Sequence, residues 1–293
     1  MKDLKVGLCL GGGAALGIAH VGVLEELVKN NIKIDMITGT SIGSLVGGAF
    51  ASGVEIDKML DLVDSFKRHK IVDLNLNPLY PDGVMRGRHV EKYLNDMVGG
   101  KTFDDLKIPF RCVACDLKTG REVIFDSGDL AEAVRASISV PLAFSPVKKE
   151  NMILIDGGVV NNLPVDVLRA LGADVVIAVD LCGTYKPFGR LKNVFEVSMS
   201  SVHLMLKNQV DIQKDRGDVF ISVYQPDVSP AFFRKSEMQK SLEYGRAAAA
   251  AVMDDIKKLV TTGKKPKKAE IKETPINISE CDALYFAEGL EEE

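Results

Sequence analysis

The sequence predicts an α/β protein, a three-layer α/β/α sandwich with a mainly parallel central sheet. Short apolar runs of strand length alternate with segments whose apolar residues recur at helical spacing. The run at residues 175–179 is apolar throughout, which is typical of a parallel strand covered on both faces. Strands and helices that alternate in this way form a sheet between helical layers, with functional loops at the carboxyl ends of the strands.

The individual elements follow from the same periodicity. In chain order they are a strand at 6–10, a helix at 18–29, a strand at 34–38, helices at 44–51, 55–67 and 89–98, strands at 110–115 and 122–125, a helix at 129–137 with Asp129 as N-cap, a strand at 152–155, a helix at 164–171, a strand at 174–179, a helix at 194–210, a strand at 218–224 and a helix at 236–260. The connection at residues 68–88 is rich in proline, glycine and leucine. Two interpretations of it stay open, a lid or substrate-entry loop and a plain surface excursion.

Composition restricts the class of protein. With 293 residues, 46% apolar and 27% charged, the chain suits a soluble globular domain with a substantial core. A net charge of -4, without a basic face that carries interleaved aromatic residues, argues against a nucleic-acid partner. The sequence begins directly with a strand and shows neither a secretory signal pattern nor an apolar run of membrane-spanning length. We therefore expect a cytoplasmic protein.

The five cysteines are an odd number, and three of them lie in apolar runs, which favours reduced thiols. Cys112 and Cys115 have the spacing of a metal or redox pair. Residues three apart in a strand face opposite sides, however, and no histidine cluster is near them in the sequence. We expect buried core cysteines and no metal site.

Residues 39–43 read Gly-Thr-Ser-Ile-Gly, the G-x-S-x-G pattern of a nucleophile elbow between a strand and a helix. Gly39 and Gly43 leave room for a tight turn that holds Ser41 in a strained conformation. The amides at the start of the following helix would face an oxyanion formed at Ser41. The alternative is a glycine-rich turn with a capping serine.

Two further glycine-rich turns strengthen the catalytic interpretation. Three glycines follow the first strand, and their unobstructed N–H groups suit an oxyanion hole: Gly11, Gly12 and Gly13.

Asp156 ends another strand and is followed by Gly157 and Gly158, a turn that allows close approach to a second loop. It is a candidate general base for Ser41. Asp166, which lies in a helix start, and Asp180, which has no Gly-Gly turn, are weaker candidates.

These motifs resemble the patatin-like phospholipase family over roughly residues 5–181, together with the runs at 116–120, 136–141 and 156–164. The resemblance implies a patatin-like fold and a lipid acyl hydrolase that needs no cofactor. Ser41 would be the nucleophile, Asp156 the base, and the amides of Gly11, Gly12 and Gly13 the oxyanion hole. Leu16 departs from the family, which usually carries arginine or lysine there, but backbone donors do not depend on that side chain.

The basic run that begins at residue 263 divides the chain, and the resemblance bears on its partners. Residues 1–262 are expected to form the catalytic domain, and 263–293 a basic linker and an extension that packs on this domain or on a partner. The expected partner is a lipid or another acyl ester. Phe232, Phe233 and the lysine run at 264–268 are candidates for peripheral contact with a membrane surface, against the alternatives of core anchoring and a solvated linker.

Other functions stay open. Acyl transfer would pair Ser41 with a downstream histidine, for which His203 is the candidate. His20 precedes the nucleophile and is expected to pack or to form a hydrogen bond. The glycine loop, with Asp35 after it, loosely matches a dinucleotide fingerprint, but Leu16 stands where the third glycine should be. A non-catalytic regulator on the same fold is the remaining alternative.

Overall fold

The computed structural model describes residues 4–64, 73–74, 85–182, 191–228 and 234–263. Its strands are β1 (Val6–Leu10), β2 (Met36–Thr40), β3 (Phe110–Asp116), β4 (Arg121–Phe125), β5 (Val147–Lys149), β6 (Met152–Asp156), β7 (Val175–Asp180) and β8 (Val219–Ser222). Its helices are α1 (Ala19–Lys29), α2 (Ile42–Ala51), α3 (Ile56–Asp64), α4 (Arg88–Val98), α5 (Leu130–Ser137), α6 (Gly158–Asn161), α7 (Val165–Ala170), α8 (Val194–Gln213), α9 (Lys235–Ala251) and α10 (Met253–Thr262).

The strands form one sheet in the order β5-β6-β3-β2-β1-β7-β8, and β4 also pairs with β3. The pairings β3-β2, β2-β1, β1-β7 and β7-β8 are parallel, whereas the pairings of β3 with β4, of β3 with β6 and of β6 with β5 are antiparallel. The predicted α/β class is confirmed, with a parallel centre and an antiparallel edge. The hairpin predicted around residues 118–120 is also present, since β3 and β4 pair antiparallel.

Both faces of the central strands are buried, as the apolar run at 175–179 predicts. In β1, Leu8 packs in the larger core with α1, α2, α5, α9 and α10, whereas its neighbour Cys9 packs on the other face with residues of α7 and α8. In β7, Ile177 likewise packs in the larger core, and its neighbour Val176 packs on the other face. This alternation follows from the two-residue period of a strand and gives the three layers.

Several boundaries differ from the prediction. The second strand lies two residues later, and the sequence analysis missed the short β5 and α6. The single helix predicted at 236–260 is two helices that meet at Val252, where φ is -114°. Apolar residues continue at helical spacing across this break, so periodicity alone does not detect it.

Four described cysteines, Cys9, Cys112, Cys115 and Cys182, are free and buried, as expected. Among the helices that the structure describes, none combines the length and apolarity needed to cross a bilayer. Most of the connection at 68–88, the two phenylalanines at 232–233, Cys281 and the extension from residue 264 lie outside the described residues.

Candidate active site

Ser41 lies between β2 and α2 with φ 55° and ψ -128°, a backbone conformation that non-glycine residues rarely adopt. The turn is tight because two backbone segments approach the flanking glycines. A Cβ on Gly39 would lie 2.5 Å from the carbonyl oxygen of Gly43, and one on Gly43 would lie 2.2 Å from that of Leu10. The predicted strand, strained turn and helix are therefore present around Ser41.

Hydrogen bonds fix the backbone of Ser41 on both sides. Its N–H donates to Ser137 Oγ at 3.0 Å, and Ser137 Oγ in turn donates to the carbonyl of Val113 at 2.6 Å. Its carbonyl accepts from the amide of Ser44 at 2.8 Å. The Ser41 side chain makes no capping hydrogen bond to α2, so the alternative of a capping serine is wrong. The Ser41 hydroxyl is therefore not used to cap the helix.

Asp156 ends β6 and is buried, with 4% of its surface exposed. Its Oδ1 accepts from the amide of Gly158 at 2.8 Å, and its own amide donates to the carbonyl of Ser139 at 3.0 Å. Burial raises the pKa of the carboxyl to about 6, although the Ser41 hydroxyl and the Gly158 amide partly oppose this rise. The Ser41 hydroxyl is near enough to act on the pKa, yet Oδ2 has no well-aligned hydrogen bond.

The strand register explains how Ser41 and Asp156 meet. Thr40 pairs with Val113 in the parallel β2–β3 ladder, so Ser41 stands level with Ala114. Ala114 pairs with Asp156 in the antiparallel β3–β6 ladder. Asp156 thus reaches the level of Ser41 from the opposite direction. Asp156 lies at the carboxyl end of its strand, as expected, but this strand runs antiparallel to β3.

The glycine loop offers fewer donors than predicted. The amide of Gly11 donates to the carbonyl of Val179 at 3.0 Å, and that of Gly12 donates to the carbonyl of Asn162 at 3.1 Å. The first bond continues the pairing of β1 with β7 and the second ties the loop to the end of α6, so neither amide is available to an oxyanion in this structure. Of the three glycines, Gly13 lines the pocket beside Ser41. The oxyanion-hole assignment for Gly11 and Gly12 is therefore corrected.

A second candidate donor lies at the start of α2, where the sequence analysis expects helix amides to face an oxyanion. Ile42 directly follows Ser41 and is the first residue of α2, where backbone N–H groups have no partner within the helix. In G-x-S-x-G enzymes the residue after the nucleophile commonly donates to the oxyanion. The structure narrows the expected set of helix amides to Ile42 as the candidate.

The carbonyl groups of the glycine loop are also held. His20 Nε2 lies 2.8 Å from the carbonyl oxygen of Gly11, and Cys182 Sγ lies 3.4 Å from that of Gly12. Burial lowers the pKa of His20 to about 4, so the ring is neutral and Nε2–H donates. The expectation that His20 forms a structural hydrogen bond is confirmed.

The two asparagines that follow the Asp156 turn tie it to different neighbours. Asn162 Nδ2 reaches the carbonyl of Gly12 at 3.5 Å. Asn161 Nδ2 instead donates to the carboxylates of Glu122 and Asp166, each at 2.9 Å. The weaker acidic candidate Asp166 is thus engaged in this structural contact.

Ser41 and Asp156 line one mainly apolar pocket. Its wall consists of Gly13, Ala14, Ser41, Val140, Pro141, Asp156, Val159, Met199, Val202, His203 and Leu206. Four of these residues lie on α8. His203, the histidine that the acyl-transfer alternative requires, is one of these four residues.

Comparisons with known proteins agree with this architecture. The model of the family described as "Patatin-like phospholipase" matches residues 8–169. An uncharacterized NTE family protein of Mycobacterium tuberculosis is 35% identical over 180 residues, which cover 61% of this chain and 50% of that protein. A lysophospholipase of Aspergillus fumigatus is 35% identical over 179 residues, or 60% of this chain and 12% of its own length.

The crystal structure of VipD from Legionella pneumophila superposes with a TM-score of 0.63 at 12% identity, covering 86% of this chain and 67% of that one. At this identity the likeness concerns the fold alone. The chain spans half or less of the length of both curated relatives. The family model covers more than half of the present chain, which therefore belongs to the patatin-like phospholipase family.

Proposed function

We propose that this protein is a lipid acyl hydrolase that cleaves carboxylic esters through an acyl-enzyme on Ser41. One observation carries the proposal: a serine in a strained turn and a buried carboxyl group with a raised pKa line the same apolar pocket. Serine needs an adjacent base to act as a nucleophile, and Asp156 is the ionisable carboxyl in that pocket. Family membership adds the expectation of a lipid substrate.

In the first half of the reaction, Ser41 Oγ attacks the acyl carbonyl and Asp156 accepts the hydroxyl proton. The N–H groups of Gly13 and Ile42 stabilise the negative charge that develops on the carbonyl oxygen. The tetrahedral intermediate then collapses. The bond to the alcohol breaks, and the proton on Asp156 passes to the departing oxygen.

In the second half, water attacks the acyl group on Ser41 while Asp156 accepts a proton from the water. The acyl bond to Ser41 breaks, the fatty acid leaves, and the proton returns to Ser41 Oγ. Burial makes Asp156 a stronger base than an ordinary aspartate, because its pKa of about 6 lies closer to neutral pH. No metal or cofactor takes part in this scheme.

The test compares hydrolysis of a short-chain p-nitrophenyl ester by wild type, Ser41→Ala and Asp156→Asn. We expect both variants to lose at least about a thousandfold in kcat/KM, since nucleophile and base act together. Ser52→Ala is the serine control, because Ser52 is buried at the other end of α2 and its hydroxyl donates to the carbonyl of Ala49 in its own helix. Wild-type rates in both dyad variants would overturn the proposal.

Asp180→Asn is the matched control for the carboxylate. Asp180 is also buried, its pKa is also raised to about 6 by burial, and its Oδ1 also accepts from the amide two residues later. It does not line the pocket. We expect this variant to keep most of the esterase activity.

Acyl transfer is the second candidate, favoured by the presence of His203 in the pocket wall. In that scheme an acceptor alcohol replaces water, and His203 replaces Asp156 as the base. His203→Gln separates the two schemes through the pH profile. If Asp156 is the base, the fall in rate below about pH 6 persists in this variant. Loss of the activity in this variant, together with acyl transfer to glycerol in the wild type, would favour the transferase.

A further inference from the structure

The outer face of α8 is an exposed apolar surface. Five of its side chains, each between 43% and 83% exposed, are Val194, Val197, Leu204, Met205 and Ile212. At 3.6 residues per turn these positions fall within an arc of about 100° along the whole helix. We call this set the α8 stripe. Soluble proteins rarely expose a continuous apolar face without a partner for it.

The stripe carries no charge. The other exposed residues within its arc, Ser201 and Asn208, are uncharged. The charged residues of α8 lie off the stripe: Glu196 accepts from the amide of Lys192 at 2.9 Å, and Lys207 pairs with Asp211 at 2.8 Å. This pattern suits a surface that leaves water for a hydrocarbon environment, where an unpaired charge would be costly.

The opposite face of the same helix lines the candidate active site. Met199, Val202 and Leu206 point into the pocket that contains Ser41 and Asp156. A helix with its side chains is about 10 Å across. A surface that covered the α8 stripe would therefore lie within about one helix diameter of the pocket.

We propose that the α8 stripe docks the protein on the neutral, apolar interior of a lipid surface, so that ester-bearing lipids reach the pocket beside α8. The proposal rests on the proposed function, because a lipid substrate is what makes a bilayer the fitting occupant of this face. The α8 stripe is then the part of the described chain that contacts the membrane. The attraction is hydrophobic, so neutral lipid suffices and salt weakens it little.

The test measures sedimentation with pure phosphatidylcholine vesicles at physiological and high salt. Wild type is compared with Leu204→Glu/Met205→Glu, and with the milder Leu204→Gln/Met205→Gln in case the charged pair prevents folding. Val28→Glu is the control for an added glutamate. It places one such charge, against two in the stripe variant, on a 45% exposed valine near the end of α1, far along the chain from the pocket residues of α8. Circular dichroism verifies that each variant is folded.

We expect the stripe variants to lose about tenfold or more in vesicle binding, and the control to lose none. Hydrolysis of vesicle phospholipid falls with binding, whereas turnover of a soluble short-chain ester stays the same, because the pocket is untouched. Unchanged vesicle binding in the stripe variants would overturn the proposal. So would binding that requires anionic lipid and disappears in high salt, since that behaviour belongs to a lysine-rich segment.

Two further outcomes are informative. If the stripe variants convert a dimer to a monomer by light scattering and bind vesicles as before, the face is an interface between two copies and the proposal fails. Ser41→Ala is expected to bind vesicles like wild type. If no variant hydrolyses any ester but the stripe still controls vesicle binding, the proposed function fails and the docking surface stands.

Discussion

The amide of Ser41 donates a hydrogen bond of 3.0 Å to Ser137 Oγ, the hydroxyl of a residue at the end of α5. Two residues later, the carbonyl of Ser139 accepts from the amide of Asp156. One short segment thus holds the backbone of both proposed catalytic residues. Buried Arg135 fixes this segment, since its guanidinium donates to Ser139 Oγ at 2.6 Å and to the carbonyl of Ser145 at 2.8 Å.

Ser137→Ala is expected to lower kcat more than it raises KM. The substitution leaves the amide of Ser41 and the carbonyl of Val113 buried without their shared partner, which costs about 1–3 kcal/mol. The nucleophile then loses its fixed position. Steady-state kinetics and urea unfolding measure the two effects. Ser127→Ala, at an exposed serine, should change neither, and equal kinetics for both variants would contradict the positioning role.

The rate is expected to depend on pH through Asp156. A general base must be ionised, so kcat/KM should rise as pH increases through about 6 and level off above it. An ordinary aspartate would give this rise in kcat/KM near pH 4. Rate profiles from pH 4 to 9 on a soluble ester, with Asp180→Asn as reference, test the assignment. A rise in kcat/KM centred near pH 4 would show that the buried carboxyl does not control the rate.

Asp156→Asn is expected to stabilise the fold at neutral pH. The folded-state pKa of about 6 lies above the ordinary value of 3.8, so the folded state binds more protons between these pH values. The contribution of Asp156 to wild-type stability therefore falls as pH rises from about 4 to about 6 and then stays level. The variant avoids up to about 3 kcal/mol of this loss. In thermal unfolding, Asp156→Asn and wild type should be equally stable at pH 4. At pH 8 the variant should be the more stable of the two. A difference that does not grow with pH would refute the linkage.

Gly43→Ala is expected to destabilise the protein by several kcal/mol and to abolish esterase activity. The added Cβ would lie 2.2 Å from the carbonyl oxygen of Leu10, so the turn at Ser41 must move away from β1. Gly48→Ala, later in the same helix, is the control. Its Cβ would meet no atom closer than 3.4 Å, and alanine favours helix by about 1 kcal/mol. Melting temperatures should therefore shift in opposite directions.

Much of the site could be predicted because it depends on local sequence. The strained turn at Ser41 requires small flanking residues, and the Asp156 turn requires glycines that allow close approach. Both requirements are visible in the sequence. The alternation of Leu8 and Cys9 between two buried faces likewise follows from an apolar run of strand length.

Other features depend on partners that are distant in sequence. The amides of Gly11 and Gly12 are engaged by the carbonyls of Val179 and Asn162, so the accessible donors could not be read from the glycine run. His203 lies in the pocket wall because of how α8 crosses the site, which helical periodicity does not reveal. The direction of β6 was missed for the same reason, since strand pairing is a tertiary property.

The antiparallel course of β6 has a consequence for assembly of the protein. Residues up to the end of β3 include Ser41 but neither Ser137, whose hydroxyl holds the Ser41 amide, nor Asp156, which arrives when β6 pairs with β3 beyond the end of β2. The proposed nucleophile is therefore synthesised before the residue that holds its backbone and before its proposed base. In the proposed mechanism a chain truncated before β6 would carry the serine without its base, and hydrolysis would begin only once β6 has paired with β3.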